Sequence, residues 1–219
     1  MSGAASVSDI FYDILISMLT ELFFDIETKK IFDDIIGNNP ADLGISIISV
    51  YKRQLDEKLN EISGQMYSFW EEDFPKMWPL FTNADRIVGF NTEHFDIPAV
   101  APLAPYDFRK LNHFDIMTHV KDALGFRLSL DSIASQTLNE TKIDHGLNAV
   151  RYWAEHTPES LAKLKKYCEA DVDVTKKVYD YGLKHGFLKY KNKWNTICTL
   201  EVDFSYPKAE AKDLQASLF

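Results

Sequence analysis

Cysteine is scarce in this 219-residue chain, with only Cys168 and Cys198. A disulfide framework is therefore excluded, and a reducing, cytoplasmic setting is expected. Two thiols without ligand-spaced neighbours make no structural zinc site either. Nine glycines and eight prolines among 46% hydrophobic residues exclude collagen-like, low-complexity and disordered chains. Long hydrophobic runs are missing as well. The apolar stretch Ile10 to Leu19 follows Asp9, is broken by Asp13, lacks a basic flank and is too short to span a bilayer. It reads as an amphipathic leader over residues 1–20, with Met18 as a candidate start, and no membrane is expected as a partner.

Several catalytic signatures are also absent. Without a Gly-x-x-x-x-Gly-Lys loop or a Gly-x-Ser-x-Gly elbow, nucleotide-triphosphatase and serine-hydrolase readings have no support. His94, His113, His145 and His156 form no His-x-x-x-His or His-Glu-x-x-His unit and are expected on the surface or in turns. Positive charge is in short supply: 24 basic against 33 acidic residues leave a net charge of -9. The deficit is uneven. Residues 1–141 carry 11 basic and 22 acidic side chains, whereas residues 142–193 carry 11 and 7, which leaves room for a local basic surface.

What is present is a succession of strands followed by mixed strands and helices. Apolar, β-branched runs predict strands over Glu21–Thr28, Gly44–Tyr51 and Glu61–Trp70, the three forming a meander. A helix face is spaced along Glu71–Asn83 (Phe74, Met77, Trp78, Phe81). Arg86–Asn91 and Phe114–Met117 read as short strands, the latter leading into a helix through Leu124. Phe95–Leu103 and Leu130–Leu138 read as short helices. The strongest helix runs from Thr157, its cap, to His185, with an apolar stripe of Leu161, Leu164, Cys168, Val172, Val178 and Leu183. A hairpin follows, over Phe187–Tyr190 and Thr196–Phe204. The pattern predicts an α/β domain with a central mixed sheet flanked by helices, over residues 21–190, and a hairpin or tail over 191–219.

Three groups of residues carry chemistry. Asp25 and Glu27, two apart at the end of a strand, project from one face, with Phe23 behind them. Anions so placed repel unless a hard cation such as magnesium or manganese lies between them, although in isolation such a pair is more often a solvated strand edge. In Gly89-Phe-Asn-Thr-Glu-His-Phe-Asp-Ile-Pro98, a strand turns into a helix that begins near Asp96, and Asn91 offers both donor and acceptor. Asp96 could equally be a cap, and Asn91 a turn residue. Tyr167 and Asp171, at i and i+4, share one face of the long helix.

Taken in order, Asp-x-Glu on a strand, Asn-x-x-x-Phe-Asp, then Tyr-x-x-x-Asp on a late helix resembles the DEDD superfamily of 3′-to-5′ exonucleases, tyrosine subclass. The histidine subclass would place His where Lys166 stands. The run Gly89 to Pro98 is most similar to the exonuclease domain of family B DNA polymerases and to stand-alone bacterial relatives, and the likeness extends from Leu22 to Tyr190. The resemblance implies an RNase H-like fold and a 3′-to-5′ exonuclease that releases nucleoside 5′-monophosphates from single-stranded DNA or RNA. It implies catalytic residues Asp25, Glu27, Asp96, Tyr167 and Asp171. The four acids would hold two Mg²⁺ or Mn²⁺ ions, and Tyr167 would orient the attacking water. Ile26, Thr28, Asn91 and Phe95 would surround the terminal nucleotide, although Phe95 reads more readily as core. Lys142, Arg151, Lys176 and Lys177 are candidates for backbone phosphates or ordinary solvated cations. A polymerase or helicase in trans is a further possible partner. A non-catalytic binding or recruiting module on the same fold, or an RNase H-like endonuclease, are the competing readings.

Overall fold

In the computed structural model of the protein, residues 18–139 and 146–206 are described. β1 (Leu19–Thr28), β2 (Ile45–Leu55) and β3 (Glu61–Trp70) form an antiparallel meander. The turn between β2 and β3 is tied by the Asp56 carboxylate, which accepts from the N–H groups of Lys58 and Asn60 at 2.9 and 2.8 Å. This compact turn lets β2 run on through Leu55, past the expected end at Tyr51. After α1 (Phe74–Thr82), β4 (Arg86–Gly89) lies parallel to β1 on its free side. After α2 (Asp96–Val100), β5 (His113–Asp115) lies parallel to β4. The sheet order is thus β3-β2-β1-β4-β5. Helices α3 (Ile116–Leu124), α4 (Leu130–Thr137), α5 (Gly146–Glu155) and α6 (Pro158–His185) follow, and then a hairpin of β6 (Phe187–Lys191) and β7 (Ile197–Glu201). The expected mixed sheet flanked by helices is the fold observed. The hairpin straddles the boundary expected at residue 190. The expected leader lies outside the described residues except for its last three.

Side-chain alternation along β1 sorts the core into two layers. Leu22, Phe24 and Ile26 point to one face, where they pack with Phe74, Met77, Trp78 and Phe81 of α1 and with Ile97 and Val100 of α2. Phe23 points to the other, against Val88, Val172, Val178 and Tyr179. Each side chain so buried contributes roughly 1.5–3 kcal/mol relative to exposure. α6 covers this second face. Its start is fixed by a reciprocal cap: Thr157 Oγ1 accepts from Ser160 N at 3.1 Å, and Ser160 Oγ accepts from Thr157 N at 3.0 Å. Gly186, at φ 72°, ends it in the left-handed conformation. Leu164, Cys168, Val172 and Val178 are buried as expected, but Leu161 and Leu183 are only half-buried. Tyr167, Asp171 and Tyr179 take their share of the stripe, so the buried face of α6 is more polar than apolar periodicity alone indicates.

His113 departs from the expected surface placement. As the first residue of β5 it is half-buried, with its ring 5.0 Å from that of Phe108. Burial lowers its pKa.

A second odd position of β1 is charged. Glu21 is fully buried and receives Arg53 Nε at 2.7 Å, Tyr179 Oη at 2.9 Å and Tyr206 Oη at 2.5 Å. Arg53 also pairs with Asp180 at 2.7 Å, tying β2 to α6. A buried pair contributes little net stability over an apolar substitute, but removing one partner strands the other's charge. Glu21→Ala leaves Arg53 Nε and the Tyr179 and Tyr206 hydroxyls without their acceptor while Arg53 keeps Asp180, and is expected to cost about 3 kcal/mol in urea unfolding. A loss below about 1 kcal/mol would show that Arg53 is solvated or otherwise neutralised.

Candidate metal centre and adjoining cleft

Asp25 and Glu27 continue the odd face of β1 beyond Phe23, so they project toward α6. There, Tyr167 and Asp171 are both buried, one helical turn apart. Carboxylate oxygens of Asp25, Glu27 and Asp171 all lie within 4.8 Å of one another. Three like charges at that separation repel strongly, and a bound cation relieves the repulsion. The donor set, all hard carboxylate oxygen, suits Mg²⁺ or Mn²⁺ rather than a thiolate-seeking metal. Tyr167 hydrogen-bonds to Asp171; burial first, then the charges of Asp171, Glu27 and Asp25, raise its pKa far above the ordinary phenol value. Its hydroxyl therefore keeps its proton at neutral pH. Cys168, the next residue, donates from Sγ to the Asp25 carbonyl at 3.5 Å. Burial and the Asp25 and Glu27 charges hold it as a thiol.

Asp96 reaches β1 differently and stands outside this three-acid group. It is the first residue of α2, buried, and its carboxyl lies near the backbone of Ile26, the residue between Asp25 and Glu27. Burial, with the nearby Asp115 charge adding to it, pushes its pKa up to about 7. The approach depends on the turn after β4. Asn91 adopts φ 65°, a left-handed conformation that Asn tolerates. The Thr92 carbonyl then accepts from Ile97 N at 2.8 Å. Gly89 is required at the turn's base, because a Cβ there would lie 2.1 Å from Thr92 Cγ2.

Asp115 holds that turn, and sequence reasoning missed it. Its buried carboxylate accepts from Asn91 N at 2.7 Å, Glu93 N at 3.0 Å and Met117 N at 2.9 Å. The last of these caps α3. The available signal was its position, the last strand residue before a predicted helix.

A cleft of about 470 Å³ opens beside the acids, within the range of small-ligand sites. Asp25 and Asp171 line it together with Phe90, Asn91, Met117, Arg127, Leu128, Ser129 and Leu130. Of the four residues expected around a terminal nucleotide, only Asn91 is among them. Ile26 is packed in the α1-side core, because even positions of β1 face that layer. Thr28 donates its hydroxyl to Lys30 O at 2.8 Å, within its own turn. Phe95 is half-buried, edge-to-face with Phe32 at 6.1 Å. The cations singled out from sequence are occupied elsewhere: Lys176 pairs with Glu61 and Asp180, Lys177 with Asp173, and Arg151 with Glu155. Lys142 and His145 lie outside the described residues. Arg127 was not anticipated, since a lone arginine in a loop carries no motif.

Removing the Asp115 carboxylate leaves three backbone donors without their acceptor. Asp115→Ala is expected to lower stability by at least about 2 kcal/mol, and Asp115→Asn by less, as read by thermal and urea denaturation. An unchanged midpoint for the alanine variant would mean that water replaces the carboxylate at no cost.

No curated protein matches the chain. Among protein families, the model RNase_H_2, described as RNase_H superfamily, matches residues 22–182. That span begins in β1, ahead of Asp25, and ends in α6, beyond Asp171, so it takes in all three clustered acids. No helix among the described residues is long and apolar enough to cross a membrane. With the mixed sheet, the helix laid across its acidic face and a match over most of its length, the chain belongs to the RNase H superfamily and has that superfamily's nuclease-type fold.

Proposed function

We propose that the protein is a divalent-metal-dependent 3′-to-5′ exonuclease of the tyrosine subclass. It would act at the 3′ end of single-stranded nucleic acid, DNA in preference to RNA, and release nucleoside 5′-monophosphates. The observation that carries this reading is the convergence of Asp25, Glu27 and Asp171, with Tyr167 hydrogen-bonded to the same group. Asp25, Glu27 and Asp171 would hold one Mg²⁺ or Mn²⁺, and Asp25 with Asp96 would serve a second. Bound there, such ions would acidify an attacking water and stabilise charge on the departing oxygen.

The protein's own groups set the rest. Tyr167 keeps its proton, which it donates in a hydrogen bond to Asp171, and would orient a water through its phenol oxygen rather than act as a base, because its surroundings raise an already high pKa. Asp25, on a central strand, and Asp171, on a capped 28-residue helix, are held by rigid elements, as a site of fixed geometry requires. Phe90, Met117, Leu128 and Leu130 give the cleft an apolar lining beside the acids, suited to a nucleoside.

Incubation with a 5′-labelled single strand and Mg²⁺ or Mn²⁺ is expected to give a ladder shortening from the 3′ end, and chelation should stop it. A circular single strand should stay intact; its cleavage would favour an endonuclease. A linear strand left at full length with either metal would leave only a binding module. Asp25→Ala and Asp171→Ala should each reduce nucleotide release by roughly a thousandfold or more, at least about 4 kcal/mol of barrier. Tyr167→Phe should slow it about tenfold to a hundredfold, the worth of one good hydrogen bond.

Metal binding gives an independent readout. Saturation at about 100 times Kd should stabilise the wild-type protein by about 2.7 kcal/mol. Tyr167→Phe should keep this manganese-induced thermal shift, and Asp25→Ala should lose it. An equal shift in Asp25→Ala would move the metal away from the clustered acids.

A further inference from the structure

Arg127 stands out among the residues around the cleft. It lies between α3 and α4 in a five-residue connection pinned at both ends. Gly125, at φ 77°, closes α3 with its N–H on Lys121 O at 2.7 Å, and Ser129 Oγ caps α4 by accepting from Ser132 N at 3.1 Å. The exposed guanidinium is thereby presented to the same cleft that Asp25 and Asp171 line. Nη2 donates to Asn91 Oδ1, which takes up one of the five N–H donors. Asn91 is itself fixed, with its N–H on Asp115 and its backbone in the left-handed region.

The chemistry of that placement favours a phosphate. A polynucleotide entering a cleft walled by carboxylates, on a protein of net charge -9, meets repulsion along its backbone. A guanidinium in the same lining supplies fixed positive charge, and its planar fork matches two oxygens of a phosphodiester. Leu128 and Leu130 flank it with apolar surface for the adjoining nucleoside. The Asn91 amide, expected from sequence to touch the nucleotide, is instead engaged with Arg127.

From this we infer that Arg127 grips a backbone phosphate of the single strand lying in the cleft, and that Asn91 is the positioning residue that aims it. The inference deepens the exonuclease reading and rests on it for the identity of the strand. Its test reads binding and turnover separately. With Ca²⁺ in place of Mg²⁺, the full chain is titrated with a short 5′-fluorescein oligothymidylate between about 50 and 200 mM salt. Arg127→Ala is expected to raise Kd about tenfold and to reduce the slope of log affinity against log salt by about 0.7, one phosphate contact to a single strand. In Mg²⁺ it should raise KM by a similar factor and change kcat less than about twofold. Arg127→Lys should keep the salt slope while losing part of the affinity, since it retains the charge but not the fork. Asn91→Ala should weaken binding less than Arg127→Ala, and the two effects should not add.

Arg127→Ala with wild-type Kd and salt slope overturns the assignment, and if the wild-type protein still releases nucleotides the exonuclease reading survives. A wild-type protein that binds the strand but releases nothing, with Arg127→Ala binding more weakly at a shallower slope, sustains Arg127 and overturns the exonuclease. A wild-type protein that does not bind the strand overturns both.

Discussion

Alternation along β1 is the constraint on which the rest of the structure depends. A strand buried on both faces must send successive side chains into two different layers. In β1 the even positions go to α1 and α2, and the odd positions go to α6. Phe23, Asp25 and Glu27 therefore run in one row from apolar core to acidic site, and Glu21 lies behind Phe23 in the same row. A one-residue slip in register would exchange these layers, burying two carboxylates against Phe81 and Met77. The sheet fixes that register through ten paired positions with β2, including Asp25 opposite Ser49 and Glu27 opposite Ile47. The acids are held where they repel one another because the whole central strand would have to move to separate them.

The second acidic motif is held by hydrogen bonds rather than by a strand. β4 is only four residues long, and the chain must turn sharply at its end to bring Asp96 near the backbone of Ile26. Gly89 removes the Cβ that would block Thr92, Asn91 accepts a positive φ, and Asp115 gathers two N–H groups of the turn, those of Asn91 and Glu93, while also capping α3 at Met117 N. Two buried carboxyls, Asp96 and Asp115, thus face each other across the turn, and both have raised pKa values, for which burial is the first cause. Asp115 is satisfied by backbone donors and is structural. Asp96 has fewer donors and stands next to the strand that carries Asp25 and Glu27, so positive charge placed nearby favours its ionised form.

Much of this was legible in the sequence because it rests on short-range periodicity. The two-residue spacing of Asp25 and Glu27, the four-residue spacing of Tyr167 and Asp171, and the Thr157 and Pro158 start of α6 each follow from the geometry of a single element. What sequence could not supply is which elements face each other. Ile26 is adjacent to both acids, yet it points into the opposite layer. Phe95 is adjacent to Asp96, yet it pairs with Phe32, 63 positions earlier. Asp115 and Arg127 both meet Asn91, which lies 24 and 36 residues away from them, a juxtaposition no local spacing shows. The Glu21 and Arg53 pair was hidden for the same reason, since a charged residue at the start of a strand reads as solvated until Tyr179 and Tyr206 close over it.

The placement of positive charge differs from its regional total. The region 142–193 has a surplus of four basic residues, and taken as a sum it suggested a surface for phosphates. In the fold, several of the eleven basic residues of that region are tied to acids. Lys165 pairs with Glu169 at i+4, Lys176 with Asp180 at i+4, and Lys177 with Asp173 one turn earlier. Lys176 also reaches across to Glu61 on β3, so it fastens α6 to the sheet edge. Regional net charge is thus a poor guide to where an anion binds, because helical spacing pairs neighbouring opposite charges before any ligand arrives. Arg127 lies in the acidic part of the sequence, where a sum over residues would never find it. Its loop connects two helices over the cleft, and its hydrogen bond is to a neutral amide, so its charge is not cancelled by that partner. For the exonuclease proposed here, which would have to bring an anionic polymer to a group of anions, where one cation stands matters more than how many the chain contains.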